Sequence, residues 1–200
     1  MSEIEKRLGR TPKTDWNGLR IGLLDRAETE ELVDLAYERH DSPFGTLLVV
    51  AGEGGIVRIA LAAESEEEVL TRLTRRISPR IARTGRDEIT LAREQLDRYF
   101  AGSLKDFDLP LDWRLTKGFR RDVLVQTAAI PYGTTASYSE VAGRAGSPKA
   151  VRAAGTALAT NPLPIVVPCH RVLRSDGEVG SYLGGSEMKE ALLEMERERT

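Results

Sequence analysis

The chain has 200 residues, with 29 lysines and arginines against 31 aspartates and glutamates, 40% hydrophobic residues and a formal net charge of −2. That length supports a full core without covalent staples, the single cysteine excludes an intramolecular disulfide, and no run reaches the roughly 20 apolar residues that a bilayer demands. The polar N-terminus, with Glu3, Glu5 and Arg7, lacks an apolar signal core, so a reducing, cytoplasmic location is expected, and the near-neutral balance argues against a purely electrostatic nucleic-acid binder.

Residues 1–30 open with mixed charges, Gly, Pro and Asn in no sustained period and are expected to form a flexible extension. A small mixed α/β domain is expected over 31–113. Its clearest signal is the pair of β-rich runs Thr46 to Ala51 and Ile56 to Leu61, joined by Gly52-Glu53-Gly54-Gly55, which reads as an antiparallel hairpin. Ser65-x-x-Glu68 opens a helix through Val69, Leu70 and Leu73. A second helix carries Ala92, Leu96, Tyr99 and Phe100 at helical spacing and stops at Gly102. Phe107 to Leu111 reads as an extended connector to a boundary near Trp113. Nothing in this half has a chemical signature, and His40 reads as a surface or packing histidine.

Residues 114–200 read as a mostly helical domain. Thr116 is placed to cap a helix with Phe119, Val123 and Thr127 on one face. Ser137-x-x-Glu140 is a capping box that puts Tyr138 in a first helical turn, with the helix ending around Gly146. Ser147 and Pro148 then suit the cap and first position of the next helix, and two short helices across a glycine turn make a helix-turn-helix candidate. The second of them offers Ala150, Ala153, Ala154, Gly155 and Ala157 around Arg152. Such a face can approach either a neighbouring helix or the floor of a nucleic-acid groove. From Pro131 to Ser175, five basic side chains, Arg144, Lys149, Arg152, Arg171 and Arg174, stand against Glu140 alone, which gives this half an expected basic face.

Asn161-Pro162 ends that helix and leads into Ile165-Val166-Val167-Pro168-Cys169-His170-Arg171-Val172. Three β-branched residues in a row read as a buried strand, which Pro168 breaks just before the only cysteine. A lone cysteine is often only a small hydrophobe. A neighbouring imidazole or cation favours the reactive thiolate, and because adjacent side chains do not face each other, a proton passing from Cys169 to His170 needs a bridging water. One cysteine and two histidines are poor material for a zinc site. A non-catalytic DNA-binding module and a multiple-turnover cysteine hydrolase are the competing readings.

Pro168-Cys169-His170-Arg171-Val172, with Asn161-Pro162, Arg152, Tyr138 and Glu196 at their spacings, resembles the O6-alkylguanine-DNA alkyltransferases, also called methylated-DNA–protein-cysteine methyltransferases. The resemblance is strong over Phe119 to Glu198 and looser over Asp41 to Leu111. It implies an α/β (α+β) protein whose N-terminal α/β domain holds the hairpin and whose C-terminal domain holds the helix-turn-helix and the active cysteine. It implies that Cys169 takes an alkyl group from O6 of guanine in double-stranded DNA, once per molecule, with the base flipped from the minor groove and with no cofactor, metal or membrane. Activity on O4-alkylthymine and clustering of the monomer along DNA are left open. His170 becomes the water-mediated base, Glu196 its orienting carboxylate, Tyr138 the group that stabilises departing guanine, and Asn161 the anchor of the turn. Arg152 fills the gap left by the flipped nucleotide, with Ser137, Lys149, Ala150, Ala153, Gly155 and Thr156 along the DNA contact. Pro164, Val172, Tyr182 and Leu183 form the substrate pocket. The chain departs from the family at Leu124, where Trp is frequent, at Leu183, where small or polar residues are common, and at Val151 and Thr156, which are larger than usual. It also lacks the cysteines with which some members bind zinc.

Overall fold

The computed structural model describes residues 32–199 together with Asp15, Gly18, Leu19 and Gly22. Apart from those four positions, the extension expected over 1–30 lies outside the described residues. Within Met1–Val33, the Asp15 carboxylate accepts from the Gly18 amide at 2.9 Å and starts a helical turn.

From Asp34 onward, β1 (Leu35–Ser42), β2 (Gly45–Gly52) and β3 (Gly55–Ala60) pair antiparallel, and β4 (Ile81–Ala82) joins β1 in parallel. The strand order is β3-β2-β1-β4. The glycine run makes the β2–β3 turn as its composition predicts. Gly55 takes φ +108°, and a Cβ there would strike the Pro110 carbonyl, so only glycine lets the connector close in. Ile56 N donates to Pro110 O at 2.8 Å and Asp112 N to Ile56 O at 2.9 Å. Sequence patterning assigns no strand to β1, whose Glu38, Arg39 and Asp41 break the alternation.

The sheet is covered on both faces, which explains the unbroken Leu47 to Ala51 run. Leu47, Val49, Ala51, Ile56 and Ile59 join one core. Leu48, Val50, Val57 and Ala60 join another. Helix α1 (Glu66–Arg76), capped by Ser65 Oγ accepting from Glu68 N at 3.4 Å, packs Val69 and Leu73 on the second face. Helix α2 (Asp87–Phe100) packs Ile89, Ala92, Leu96 and Tyr99 into the first. That core continues without a break into the second half through Val123, Leu124, Val141, Leu158 and Leu192. Leu124 is fully buried in it as a core residue, and His40 packs from β1 with Nε2 3.4 Å from Asp97 Oδ1.

Helix α3 (Phe119–Ala128) starts from Gly118 at φ +53° with no side-chain cap. Thr116 is too early to cap it and instead donates to Trp113 O at 3.0 Å. A two-residue β5 (Ala136–Ser137) leads into α4 (Tyr138–Arg144), which carries both halves of the expected capping box. Helix α5 (Val151–Ala159) begins three residues beyond the expected Pro148, because Ser147 to Ala150 closes a turn of its own, with Ala150 N donating to Ser147 O at 2.9 Å. After the turn at Cys169–Arg171 come β6 (Val172–Leu173) and α6 (Gly185–Glu198). Among the described residues no helix is long and apolar enough to cross a membrane.

Candidate active site

Ile165-Val166-Val167 is not a strand. It is a buried turn in which Ile165 sits at φ +73°, since Pro162, Pro164 and Pro168 remove the amides a ladder needs. Asn161 takes over the job of a strand partner. Its Oδ1 accepts from Leu163 N at 2.9 Å, and its Nδ2 donates to Val167 O at 2.8 Å and to Cys169 Sγ at 3.2 Å. Parallel pairing of Ala136 with Val172 and Ser137 with Leu173 ties the entry of α4 to the exit of this turn.

Cys169 is 5% exposed. Burial pushes its thiol up to about 11, against the hydrogen bond from Asn161 and the charge of Lys189, so the free protein carries a protonated thiol at neutral pH. His170 is fully buried, with Nε2 2.9 Å from Glu196 Oε1. Glu196 also accepts from Arg171 Nε and Nη2, each at 2.9 Å, from Tyr99 Oη at 2.6 Å and from Gly133 N at 3.2 Å. Burial opposes its charge, yet the hydrogen bonds from His170 and Arg171 hold its carboxyl down to about 2. An ionised carboxylate has no proton to give, so Nε2 of His170 carries the hydrogen. Burial keeps the imidazole below its usual range and therefore neutral. Nδ1 is then an acceptor, buried and without a hydrogen-bond partner among the described residues.

Tyr138 and Tyr182 close the site. The Tyr138 ring lies against α5, where a Cβ on Gly155 would sit 3.9 Å away, and its hydroxyl meets the backbone at Gly180. Burial raises its hydroxyl, with the neighbouring Cys169 adding to the effect. Tyr182 stands edge-on to His170 at 6.3 Å, with a buried hydroxyl that is unpaired among the described residues. Val172 is fully buried beneath them and Pro164 is buried within the turn. Leu183 is half-buried and lines a cavity with Arg58, Asn161 and Pro162.

The surface residues separate into two kinds. Arg152, Lys149, Ala153 and Thr156 are exposed on or just before α5, with Ala150 and Gly155 half-buried. Thr156 Oγ1 is bonded back to Arg152 O at 3.1 Å. Ser137 is occupied as the α4 cap, its Oγ bonded to Glu140 at 2.8 Å and to Ser139 Oγ at 2.9 Å. The basic face is smaller than the charge count predicts, because Arg171 is 4% exposed and spent on Glu196 and on Ile130 O at 2.5 Å. Arg144, Lys149, Arg152 and Arg174 are exposed.

Three participants escape the sequence reading. Arg171 had a signal, a cation inside an apolar run. Lys189 is fully buried on α6 and donates to Val172 O at 2.6 Å, and nothing in the sequence around it singles it out. Tyr99 arrives from the other half of the chain, and no local pattern predicts that.

A buried thiol held behind the second helix of a helix-turn-helix, with a carboxylate-oriented imidazole beside it, defines a cysteine-based transferase directed at DNA. Residues 118–198 match the family model described as 6-O-methylguanine DNA methyltransferase, DNA binding domain, and residues 35–113 match its ribonuclease-like domain. The chain belongs to the methylated-DNA–protein-cysteine methyltransferase family. The Mycobacterium tuberculosis protein of that name is 39% identical over 164 residues, covering 82% of this chain and 93% of its own length. The constitutive Bacillus subtilis protein is 38% identical, covering 80% and 94%. The crystal structure of Mycobacterium tuberculosis OGT in complex with DNA superposes with a TM-score of 0.71 at 37% identity, covering 82% of this chain and 94% of that one.

Proposed function

We propose that the protein repairs O6-alkylguanine in duplex DNA by moving the alkyl group irreversibly to Cys169, acting as a monomer in a reducing, cytoplasmic compartment. The hydrogen-bonded arrangement around Cys169 carries this reading: Asn161 Nδ2 lies 3.2 Å from Sγ, and the acceptor Nδ1 of the next residue, His170, is buried and unpaired. A DNA-bound structure of a 37% identical protein supports the partner.

Cys169 loses its proton to His170 Nδ1 through one water, the geometry that adjacent residues require. The sulfur pair forms the S–C bond as the C–O6 bond breaks, and the electrons leave on O6. Tyr138 donates a hydrogen bond to the departing base, which keeps developing negative charge off an unsupported oxygen. The proton held on His170 then returns to guanine, so charge balances. Glu196, fixed by Arg171, Tyr99 and Gly133, supports the transient imidazolium. A thioether is inert to water, so each molecule reacts once.

Residues 114–200 carry both DNA contact and transfer in this reading, and 31–113 supply Tyr99. The lesion is turned out of the minor groove while Arg152 fills its place, because a duplex-stacked base cannot reach a thiol that is 5% exposed. Lys149 and the small face of α5 bring the helix close to the backbone. Pro164, Val172, Tyr182 and Leu183 bound the pocket. In the test, Cys169→Ala is mixed with a duplex carrying one O6-methylguanine. The variant should bind the duplex as the parent does and leave the lesion intact; loss of the lesion would overturn the proposal.

A further inference from the structure

A cavity of about 210 Å³ lies between α1, the start of α3 and the end of α5. Its wall brings together four guanidinium side chains, Arg58, Arg72, Arg76 and Arg120, against the one carboxylate of Glu64. Arg58 is committed: it pairs with Glu64 and donates to Ile59 O at 2.8 Å and Pro162 O at 2.9 Å. Arg120 donates one arm to Thr160 O. Its Nε is buried without a hydrogen-bond partner among the described residues. Among the described residues neither Arg72 nor Arg76 has a carboxylate partner; Arg76 only reaches Leu115 O at 3.4 Å.

Part of this cluster serves the fold. Arg58 and Arg120 satisfy the carbonyls that follow α5, and Arg76 suits the last turn of α1, where cations are favoured. That leaves Arg72 and the Arg120 Nε unexplained. The charges also oppose one another. Burial and the Arg76 charge hold the Arg120 guanidinium below its ordinary range, and Arg58 is lowered by burial, with Arg72 and Arg120 adding to the effect. Clustered like charges around a concave space carry a cost that an incoming anion removes.

We infer that this cavity is a binding site for a phosphate group borne on an organic moiety. Guanidinium forks match phosphate oxygens in pairs, which a point charge does not. Val69, Leu73, Leu115 and Leu183 add apolar surface to the wall for the carbon part of the ligand. The phosphate has two candidate sources, a backbone phosphate of the duplex lying on α5, whose last residue lines the cavity, and a free phosphate ester.

Calorimetric titration of the full chain with phenyl phosphate tests the site, with sodium chloride at matched ionic strength as the control. One saturable site is expected, weakened about tenfold or more in Arg72→Gln/Arg76→Gln, both exposed positions on α1. No saturable binding, or equal binding by parent and variant, would overturn the inference. An unmodified duplex separates the sources. A DNA phosphate is assigned if duplex displaces phenyl phosphate and the double variant binds duplex with a shallower salt dependence. A free ester is assigned if both bind together and the variant's duplex affinity is unchanged. Cys169→Ala should bind phenyl phosphate like the parent, so the result stands apart from the outcome for alkyl transfer.

Discussion

The outer face of α5 and the cluster around Cys169 are opposite in exposure. Arg152, Ala153 and Thr156 are exposed, and Val151 is 38% exposed although it is apolar. Cys169, His170, Arg171 and Glu196 are buried, and Glu196 alone gathers His170, Arg171, Tyr99 and Gly133. The face is built to meet something outside the protein, and the cluster is built to hold one geometry. Binding and chemistry can therefore be damaged separately, and substitutions in the two regions should have different costs.

The largest separation should come from Glu196→Ala. Removing it strands Arg171 in the interior, and breaking a buried pair this way costs about 3–5 kcal/mol, read as a lower urea midpoint at unchanged slope. The acid limb sharpens the point. Glu196 is held down to about 2 from 4.5, so its stabilisation is fully present above pH 4.5 and is lost as pH falls towards 2. The variant should lack that limb.

Methylating Cys169 should cost less. An added methyl in a filled site forces rearrangement of about 1–3 kcal/mol, and calorimetry of protein before and after reaction with methylated duplex should show a lower Tm. Equal values would mean that the pocket has room, and that the cluster is looser than its burial implies.

Arg152→Ala should move stability least, by about 0.5 kcal/mol or less. Its effect should fall on lesion transfer instead, slowing methyl removal from duplex far more than binding to unmodified DNA. A variant that destabilised the fold would erase the contrast between the two regions.

The same contrast governs what the sequence makes legible. The β2–β3 hairpin and the Ser137–Glu140 cap are local, so glycine spacing and a four-residue pattern reveal them. β1 is not local, because its charged residues become a strand only by pairing with β2 and β4. The β-branched run at Ile165 to Val167 is misleading for the opposite reason. Burial makes it apolar, while the prolines around it and Asn161 hold it as a turn. Ser147-Pro148 has the chemistry of a cap and is used in a turn three residues too soon. Within the site, the adjacency of Cys169 and His170 marks the chemistry in the chain itself, and the resemblance places Glu196, Asn161 and Tyr138 near it. Tyr99 and Lys189 become visible only in three dimensions, one brought from α2 and the other folded inward from a helix edge. A charge total places Arg171 with the surface cations because it carries no information about which cations are already paired.

The central claim is that alkyl transfer ends on the buried thiol. Intact-mass measurement and peptide mapping after mixing with a duplex containing a single O6-methylguanine test it directly. One added methyl per molecule is expected, located on Cys169, with no turnover beyond one equivalent. A methyl group on any other residue, or repair of many equivalents by unmodified protein, would contradict it.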